Sequence, residues 1–400
     1  MYDKVLQAFS SSMQVITTTE NLNSFCDTLK DVEFITIDTE FMREKTYYPK
    51  LCLIQVSGPD KNAVAVDPMA DGIDLSALYD ILENPDILKV LHSGRHDLEI
   101  FFIKTEKVVA PVFDTQIAAM VCGYGDSVGY ETLVRTITNQ QVDKSSQFTD
   151  WSLRPLTEKQ IIYALGDVTH LCDVYLHLRA ELEKRGRNEW LIQEKEILQN
   201  PDTYRNDPQK SWERIKIRSP KSKNLAILRE LAAWREVQAQ ERDIPKAWVI
   251  RDEVLADISR QAPQNQKQLS KIRTFSKDMA EGKVGARLLA LIEKAVATPK
   301  ETWPTPKNKK NIPSHAHATI DVLKMLLKIQ SNEHQVATKL IANSDDIEAI
   351  ALDDKADVPA LQGWRRDIFG ADALALKHGK LAIGLKNGKI AKFKPSDCSI

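Results

Sequence analysis

Residues 34–41, Phe-Ile-Thr-Ile-Asp-Thr-Glu-Phe, are a β-like apolar run that ends in two carboxylates. The apolar start of the run predicts a strand that is buried on both faces. Asp38 and Glu40 stand two residues apart, and on a strand such side chains point to the same side. Two carboxylates held this close at neutral pH need a shared proton or a cation between them. The strand end therefore indicates a hard-metal site, although the same tripeptide also occurs as a solvated strand terminus.

Further acidic residues downstream favour the metal site over the solvated terminus. Residues 88–91 predict a short buried strand, and apolar positions at 98, 101 and 102 predict a helix after it, with Asp97 in its first turns. A second helical pattern begins near the cap-like Thr157-Glu158. Tyr163 and Asp167 are four residues apart in that pattern, so they lie on one face of the predicted helix.

These motifs together resemble the DEDDy class of 3′→5′ exonucleases, and more narrowly the ribonuclease D family. The resemblance rests on the segments Asp38–Glu44, Tyr47–Gln55, His92–Glu99 and Asp150–Thr157, together with Tyr163 and Asp167. It covers roughly residues 14 to 200, and most of the remaining chain resembles the helical domains of the same family. One departure is Gly94-Arg95-His96, where members of the family more often carry Ala-Arg-Gln.

The resemblance implies a catalytic set of Asp38, Glu40, Asp97, Tyr163 and Asp167. The four carboxylates would hold two divalent cations, with Asp38 as a bridge and Asp97 supporting the second ion. Ligation by oxygen alone fits Mg²⁺ or Mn²⁺ rather than zinc. Tyr163 would position the attacking water, because a phenol with a pKa near 10 is a poor base at neutral pH.

Several other residues are candidate substrate contacts. Phe41 and Met42 follow the first carboxylate pair, and His92 precedes the third motif residue. The polar and aromatic stretch 144–154 offers Lys144 and Arg154 to neutralise phosphate and Trp151 to stack on a base, although structural roles are equally open for these three. For Phe41 and Met42, a place in the hydrophobic core is the alternative.

Length and composition predict several globular domains. The chain has 400 residues, 42% of them hydrophobic and 28% charged, which is too long for one core. We expect an N-terminal extension at 1–12, an exonuclease domain at 13–200, a first helicase-and-RNase-D C-terminal (HRDC) domain at 209–298, a linker at 299–315, and a second, divergent HRDC-like domain at 316–400. The predicted fold is an α/β ribonuclease-H-like domain, a mixed sheet flanked by helices, followed by two all-α domains whose Trp residues lie in their cores.

The charge distribution along the chain indicates a polyanionic partner. The formal net charge of −1 divides into about −12 over residues 1–200, about +10 over 201–310 and about +1 over 311–400. A basic middle segment would attract a nucleic acid that the acidic part repels, although the excess is also compatible with a solvated helical surface. The expected partner is RNA with a single-stranded 3′ end, such as a tRNA precursor, and no obligate protein partner is evident.

Other sequence features exclude several classes of protein. The five cysteines are scattered and unpaired, so we expect buried free thiols rather than a zinc site or a disulfide framework. The absence of an export signal and of a long apolar run predicts no contact with a membrane and a cytoplasmic location.

The sequence thus predicts a ribonuclease D-like 3′→5′ exoribonuclease that uses two metal ions, releases nucleoside 5′-monophosphates and acts in tRNA 3′ maturation. Two alternatives stay open. One is a DNA 3′→5′ exonuclease of the same class, because carboxylates do not identify the sugar. The other is a non-catalytic nucleic-acid-binding HRDC protein, against which the complete catalytic set argues.

Overall fold

The computed structural model describes residues 15–273, 275–306 and 312–394, which fall into two compact units. Unit 1 comprises the described residues of Met1–Glu40, Leu51–Thr203 and Asn311–Ile400. Unit 2 comprises Phe41–Lys50 and the described residues of Tyr204–Lys310. The chain therefore leaves unit 1 directly after Glu40 and returns to it at Leu51. The predicted extension at 1–12 lies outside the described residues.

A mixed six-stranded sheet forms the base of unit 1, as predicted, with the strand order β1-β4-β3-β2-β5-β6. Strands β2, β5 and β6 run parallel, whereas β3 and β4 pair antiparallel. The apolar start of β2 is buried, which agrees with its central place in the sheet. Strand β6 was not predicted as a strand. The strands are β1 (Val15–Ile16), β2 (Phe34–Met42), β3 (Lys50–Ser57), β4 (Ala63–Val66), β5 (Leu88–Leu91) and β6 (Val112–Asp114).

Helices surround this sheet, and the longest of them, α6, carries the predicted third motif. A capping box between Thr157 and Gln160 starts α6, and Gly186 ends it in the left-handed conformation that glycine adopts readily. The helices up to residue 203 are α1 (Thr19–Thr28), α2 (Ser76–Glu83), α3 (Arg95–Thr105), α4 (Thr115–Cys122), α5 (Tyr130–Thr138), α6 (Glu158–Arg185) and α7 (Ile192–Leu198).

The C-terminal helices belong to the same unit as the sheet and share a hydrophobic core with it. Phe113 and Leu178 of the sheet region lie in one buried cluster with Leu326, Ile341 and Phe369 of the C-terminal region. The elements are α14 (Ser314–His334), α15 (Thr338–Ile341), α16 (Ser344–Leu352), α17 (Gly363–Arg365), a π-helical turn (Arg366–Gly370), α18 (Ala371–Lys377), β7 (Ala382–Lys386) and β8 (Lys389–Phe393). The antiparallel pair β7–β8 was not predicted. The identity of 316–400 as a second HRDC copy stays a prediction.

Unit 2 is a helical domain around the long helix α8, as predicted for the first HRDC copy. Its core contains Leu228, Leu231, Leu255 and Leu288, and also Tyr47 from the segment Phe41–Lys50. This segment was predicted to belong to the exonuclease domain. The helices are α8 (Ser222–Glu241), α9 (Lys246–Val249), α10 (Asp252–Gln261), α11 (Gln266–Leu269), α12 (Lys277–Glu281) and α13 (Lys283–Ala297).

The cysteines and the apolar content of the helices bear on two further predictions. Cys26, Cys52, Cys122 and Cys172 are buried free thiols, as predicted, and Cys398 lies outside the described residues. Across the described ranges, no helix combines the length and the apolar composition that a bilayer span requires.

Candidate active site

The parallel pairing of β2 with β5 brings the first two motifs together. Phe34 pairs with Leu88 and Thr36 with Val90, so both strands end at the same edge of the sheet. Asp38 and Glu40 project from the end of β2, and Asp97 lies in the first turn of α3, shortly after β5. The hydroxyl of Thr39 donates a hydrogen bond to the buried carboxylate of Asp97. The tripeptide Asp38-Thr39-Glu40 thus holds Asp97 through its middle residue.

Helix α6 carries Asp167, the fourth carboxylate, and is hydrogen-bonded to β2 beside it. The Thr36 hydroxyl donates to the carbonyl of Val168 at 2.8 Å, one residue after Asp167. The hydroxyl of Tyr130, on α5, donates to the carbonyl of Asp167 itself at 2.6 Å. As a result, one oxygen from each of Asp38, Glu40 and Asp167 lies within 4.8 Å of the others. The structure thus brings these three predicted metal ligands together.

Tyr163 and His92 line the same small pocket as the carboxylates. The pocket has a volume of about 140 Å³ and is bounded by Asp38, His92, Tyr130, Tyr163, Asp167 and Leu171. Tyr163 donates a hydrogen bond to Asp167, the residue one helical turn further along α6. The ring of Trp151 lies 6.0 Å from that of Tyr163 and is only 2% exposed. Trp151 is therefore a buried neighbour of the Tyr163 ring. Its stacking on a base stays a prediction.

Burial raises the pKa of every carboxyl in this cluster, and repulsion from other carboxylates of the cluster raises it further for Asp38 and Glu40. The pKa of Asp38 lies well above its ordinary value, first because of burial and then because of Asp97, Asp167 and Glu40. Burial, with repulsion from Asp167 and Asp97, raises the pKa of Glu40 to about 9. Burial raises the pKa of Asp167 to about 7 and that of Asp97 to about 6. Without a cation, the cluster therefore holds protons at neutral pH.

The cluster fits a divalent cation on the chemistry of its donors. Its donors are carboxylate oxygens, which suit hard ions such as Mg²⁺ and Mn²⁺. A bound cation would replace the protons that repulsion now retains, and it would offset the unfavourable burial of the charges. Asp38, Glu40 and Asp167 are the residues placed to hold it, and Asp97 borders them.

Asp114 is a positioning residue that the sequence analysis missed. Its carboxylate accepts from the backbone N–H groups of Ser93 and Gly94 at 3.1 and 3.0 Å. The same side chain caps α4 by accepting from Gln116 and Ile117. These bonds fix the turn between β5 and α3, in which Ser93 has a positive φ of 57°. The only sequence signal was an Asp directly before a helical pattern, which is typical of an N-cap.

Arg154 is engaged within the protein. Its Nε and Nη2 donate to the two oxygens of Asp67 at 2.6 and 2.8 Å, and Nη2 also donates to the carbonyl of Cys52. Its Nη1 donates to the carbonyls of Trp151 and Leu153. All five N–H donors of the guanidinium thus have acceptors. Arg154 therefore ties the loop that carries Trp151 to the sheet strand that carries Cys52. A phosphate contact would have to displace one of these bonds.

The remaining substrate candidates are distributed over both units. Lys144 forms an ion pair of 2.9 Å with Glu131 and is about half exposed. Phe41 and Met42 are half-buried at the end of β2 and belong to unit 2. Trp248, also in unit 2, is 61% exposed, so the prediction that the Trp residues of the helical domains lie in their cores is wrong for this residue. Substrate contact by Phe41, Met42, His92, Lys144, Trp151 or Arg154 stays a prediction.

Two family models match the chain, one in each unit. A 3′-5′ exonuclease model matches residues 13–183, which include all five predicted catalytic residues. An HRDC domain model matches residues 224–292, within unit 2.

Similarity to whole proteins extends over nearly the full chain. Ribonuclease D of Nitrobacter hamburgensis is 46% identical over 384 residues, covering 96% of this chain and 100% of that protein. Ribonuclease D of Granulibacter bethesdensis is 44% identical, covering 95% of this chain and 96% of that protein. The crystal structure of Escherichia coli RNase D, an exoribonuclease involved in structured RNA processing, matches with a TM-score of 0.78 and 33% identity. The match covers 91% of this chain and 98% of the E. coli chain.

Proposed function

This chain belongs to the ribonuclease D family and is an exoribonuclease, and on that premise we propose that it trims RNA 3′ ends by two-metal-ion hydrolysis. The observation that carries the proposal is the convergence of Asp38, Glu40 and Asp167 within 4.8 Å, beside the pocket that Tyr163 lines. The alternative of a non-catalytic binding protein has no support in this arrangement. Such a protein has no need of two buried and two half-buried carboxylates gathered in one cluster.

The carboxylates are the groups that would hold the divalent cations. Asp38, Glu40 and Asp167 would bind one ion. Asp38 would also serve a second ion, which Asp97, held by its bond with Thr39, would support. When bound, divalent ions lower the pKa of water and neutralise the charge that develops on the phosphate. Tyr163 orients the attacking water through its hydroxyl. Burial and the nearby Asp167 raise the pKa of this tyrosine, so it acts as a neutral hydrogen-bonding group rather than as a base.

The reaction forms one bond to phosphorus and breaks another. The water oxygen bonds to the phosphorus and gives up a proton to solvent, and the bond to the 3′ oxygen of the penultimate nucleotide breaks. That oxygen takes a proton from solvent, and the terminal nucleoside leaves as its 5′-monophosphate. Repetition of this cycle shortens a single-stranded 3′ end stepwise and stops at a stable duplex.

We further propose that the substrates are structured RNAs with single-stranded 3′ ends, such as tRNA precursors. The basic residues of 201–310 support this, because they would attract phosphates that the acidic remainder of the chain repels. The similarity to an E. coli protein involved in structured RNA processing points the same way. The exposed Trp248 adds an aromatic surface in the same segment, of the kind on which single-stranded bases stack.

A metal-dependent digestion tests the proposal. RNA and DNA of one sequence, labelled at the 5′ end, are incubated with Mg²⁺, with Mn²⁺ or with EDTA. We expect a ladder of products shortened by single nucleotides from the RNA, nucleoside 5′-monophosphates in solution, and no cleavage in EDTA. Internal cleavage products would contradict an exonuclease mechanism. Equal rates on the matched DNA would instead support the DNA exonuclease alternative.

A further inference from the structure

The strand that carries the catalytic carboxylates continues into a segment that folds with the helical domain. Strand β2 ends at Met42, but Glu40 is its last residue in unit 1 and Phe41 its first residue in unit 2. The segment Phe41–Lys50 is packed in unit 2, where Tyr47 is a member of the hydrophobic core and is only 7% exposed. The HRDC-type domain therefore includes the segment Phe41–Lys50, which begins at the residue after Glu40, a predicted metal ligand.

Three polar side chains of unit 2 hold this segment by its backbone and by its central tyrosine. Asp243 Oδ1 accepts from the backbone N–H groups of Tyr47 and Tyr48 at 3.0 and 2.9 Å. The Tyr47 hydroxyl donates to Glu236, which is 2% exposed, and accepts from Gln240 at 3.2 Å. These contacts fix both the main chain and the ring, so the segment has little freedom to move independently of α8.

We propose that Asp243, Glu236 and Gln240 are positioning residues for the catalytic strand end, acting through Tyr47. These three side chains and Tyr47 together form what we call the anchor. Because Glu40 and Phe41 are consecutive in one strand, the anchor restricts the backbone freedom of the strand end that carries Glu40. A misplacement of about 1 Å at a reacting centre costs on the order of 10²-fold in rate. The helical domain then contributes to turnover directly, in addition to any affinity for RNA.

This inference rests on the proposed function, and a substrate too short for extended RNA contacts separates the two. Hydrolysis of the dinucleotide ApA to adenosine and AMP by the wild-type protein, with Mg²⁺, tests the proposed function alone. The ratio of kcat on ApA between each variant and the wild type then tests the role of the anchor. The variants are full-length chains, and kcat, KM and the Mg²⁺ concentration at half-maximal rate are measured for each.

Asp243→Ala is the informative variant because it leaves two backbone N–H groups of the anchored segment without their acceptor. We expect kcat on ApA to fall by about 10- to 100-fold, KM to change little, and the half-maximal Mg²⁺ concentration to rise, because Glu40 is a predicted ligand. Asp243→Asn keeps a side-chain oxygen at the same place, and we expect it to restore most of the rate. A folding defect alone would not produce this split between kcat and KM.

Asn224→Ala is the matched control within the same domain. Its side-chain amide donates to the carbonyls of Ser259 and Arg260, so its loss weakens unit 2 without touching residues 41–50. We expect its kcat on ApA to stay within about twofold of the wild type. This corresponds to a change of less than about 1 kcal/mol in the activation free energy. The proposal is wrong if Asp243→Ala matches this control on ApA, or if its defect appears only as weaker binding of long RNA.

Discussion

Asp38 has three carboxylates among the groups that raise its pKa, more than Glu40, Asp97 or Asp167 has. Burial and the carboxylates of Asp97, Asp167 and Glu40 all raise its pKa. Asp38→Asn removes a predicted bridging ligand at nearly constant volume. We expect turnover of labelled RNA to fall by on the order of 10⁴-fold, as for loss of a member of a catalytic set. Without metal, the melting temperature should stay the same or rise, because one source of repulsion disappears.

Single-turnover rates at saturating Mg²⁺ and calorimetry in EDTA measure the two effects. Asp71→Asn is the control, since Asp71 is an exposed carboxylate outside the cluster. Near-wild-type cleavage by Asp38→Asn in excess Mg²⁺ would refute its assignment as a metal ligand.

Tyr163→Phe deletes one hydroxyl and preserves the ring that packs near Trp151. A hydroxyl that orients water contributes less than a metal ligand, so the loss should be partial, within about 10²- to 10⁴-fold. The single-turnover rate with saturating Mg²⁺ is the measurement. An unchanged rate would reduce Tyr163 to a packing residue.

Glu40 makes the stability of the metal-free protein depend on pH. Its pKa is raised in the folded state from 4.5 to about 9, so the folded state binds more protons than the unfolded state between these values. Stability therefore falls as the pH rises from about 4.5 to about 9. We expect Glu40→Gln to lack this component and to gain in melting temperature, relative to the wild type, across that window in EDTA. Saturating Mg²⁺ should remove the advantage, and an advantage independent of pH would contradict the assignment.

At the scale of elements, the turn between β5 and α3 determines where Asp97 lies. A Cβ added to Gly94 would lie 2.5 Å from Cβ of Leu91, closer than real Cβ contacts allow. This close approach favours glycine at position 94. We expect Gly94→Ala to destabilise the protein by about 1–3 kcal/mol and to lower the cleavage rate, because the shift reaches the start of α3.

Gly129→Ala is the matched control for this substitution. Gly129 also precedes a helix, has a negative φ of −75°, and has nothing within 4 Å of the added Cβ. Chemical denaturation and cleavage assays of both variants decide the matter. Equal stabilities would mean that the β5–α3 turn relaxes freely around an alanine.

The same elements show what local sequence could and could not predict. Strand and helix periodicities act over a few residues, so they placed Asp38 with Glu40, and Tyr163 with Asp167, on common faces. The catalytic roles of these residues were expected from the resemblance to the ribonuclease D family. For Arg154 the sequence left a phosphate contact and a structural role open, because its partner, Asp67, lies 87 residues away and no local pattern indicates the pair. Tyr47 was assigned to the exonuclease domain for the same reason, since Asp243 follows it by 196 residues.

At the scale of the whole molecule, the C-terminal region is structurally joined to the catalytic unit. Arg365 donates to the carbonyl of Leu340 and pairs with Glu194 at 3.1 Å. The ring of Trp364 stacks on that of Trp190 at 4.3 Å. A chain cut near residue 200 would therefore expose core surface of the catalytic unit. The role of the basic segment has to be tested by substitution in the full chain rather than by truncation.

A cluster of positive charge in 201–310 lies just before α8 and in its first turn. Lys216, Arg218 and Lys223 are exposed there, within ten residues of one another. If all three contact phosphates, their replacement by Gln should reduce the slope of log affinity against log salt by about 2 for single-stranded RNA. The affinity itself should fall by roughly two orders of magnitude at 0.1 M salt, because fewer counterions are released on binding.

The measurement is binding of a tRNA precursor with a single-stranded 3′ tail, by anisotropy in EDTA, over a series of salt concentrations. Replacement of Lys324, Lys328 and Lys355 by Gln is the control, because these exposed lysines lie outside the basic segment but change the net charge equally. The affinity deficit of the first variant should shrink toward zero as salt approaches about 1 M, since counterion release then contributes little. Equal deficits in both variants would show that net charge, rather than this segment, attracts the RNA.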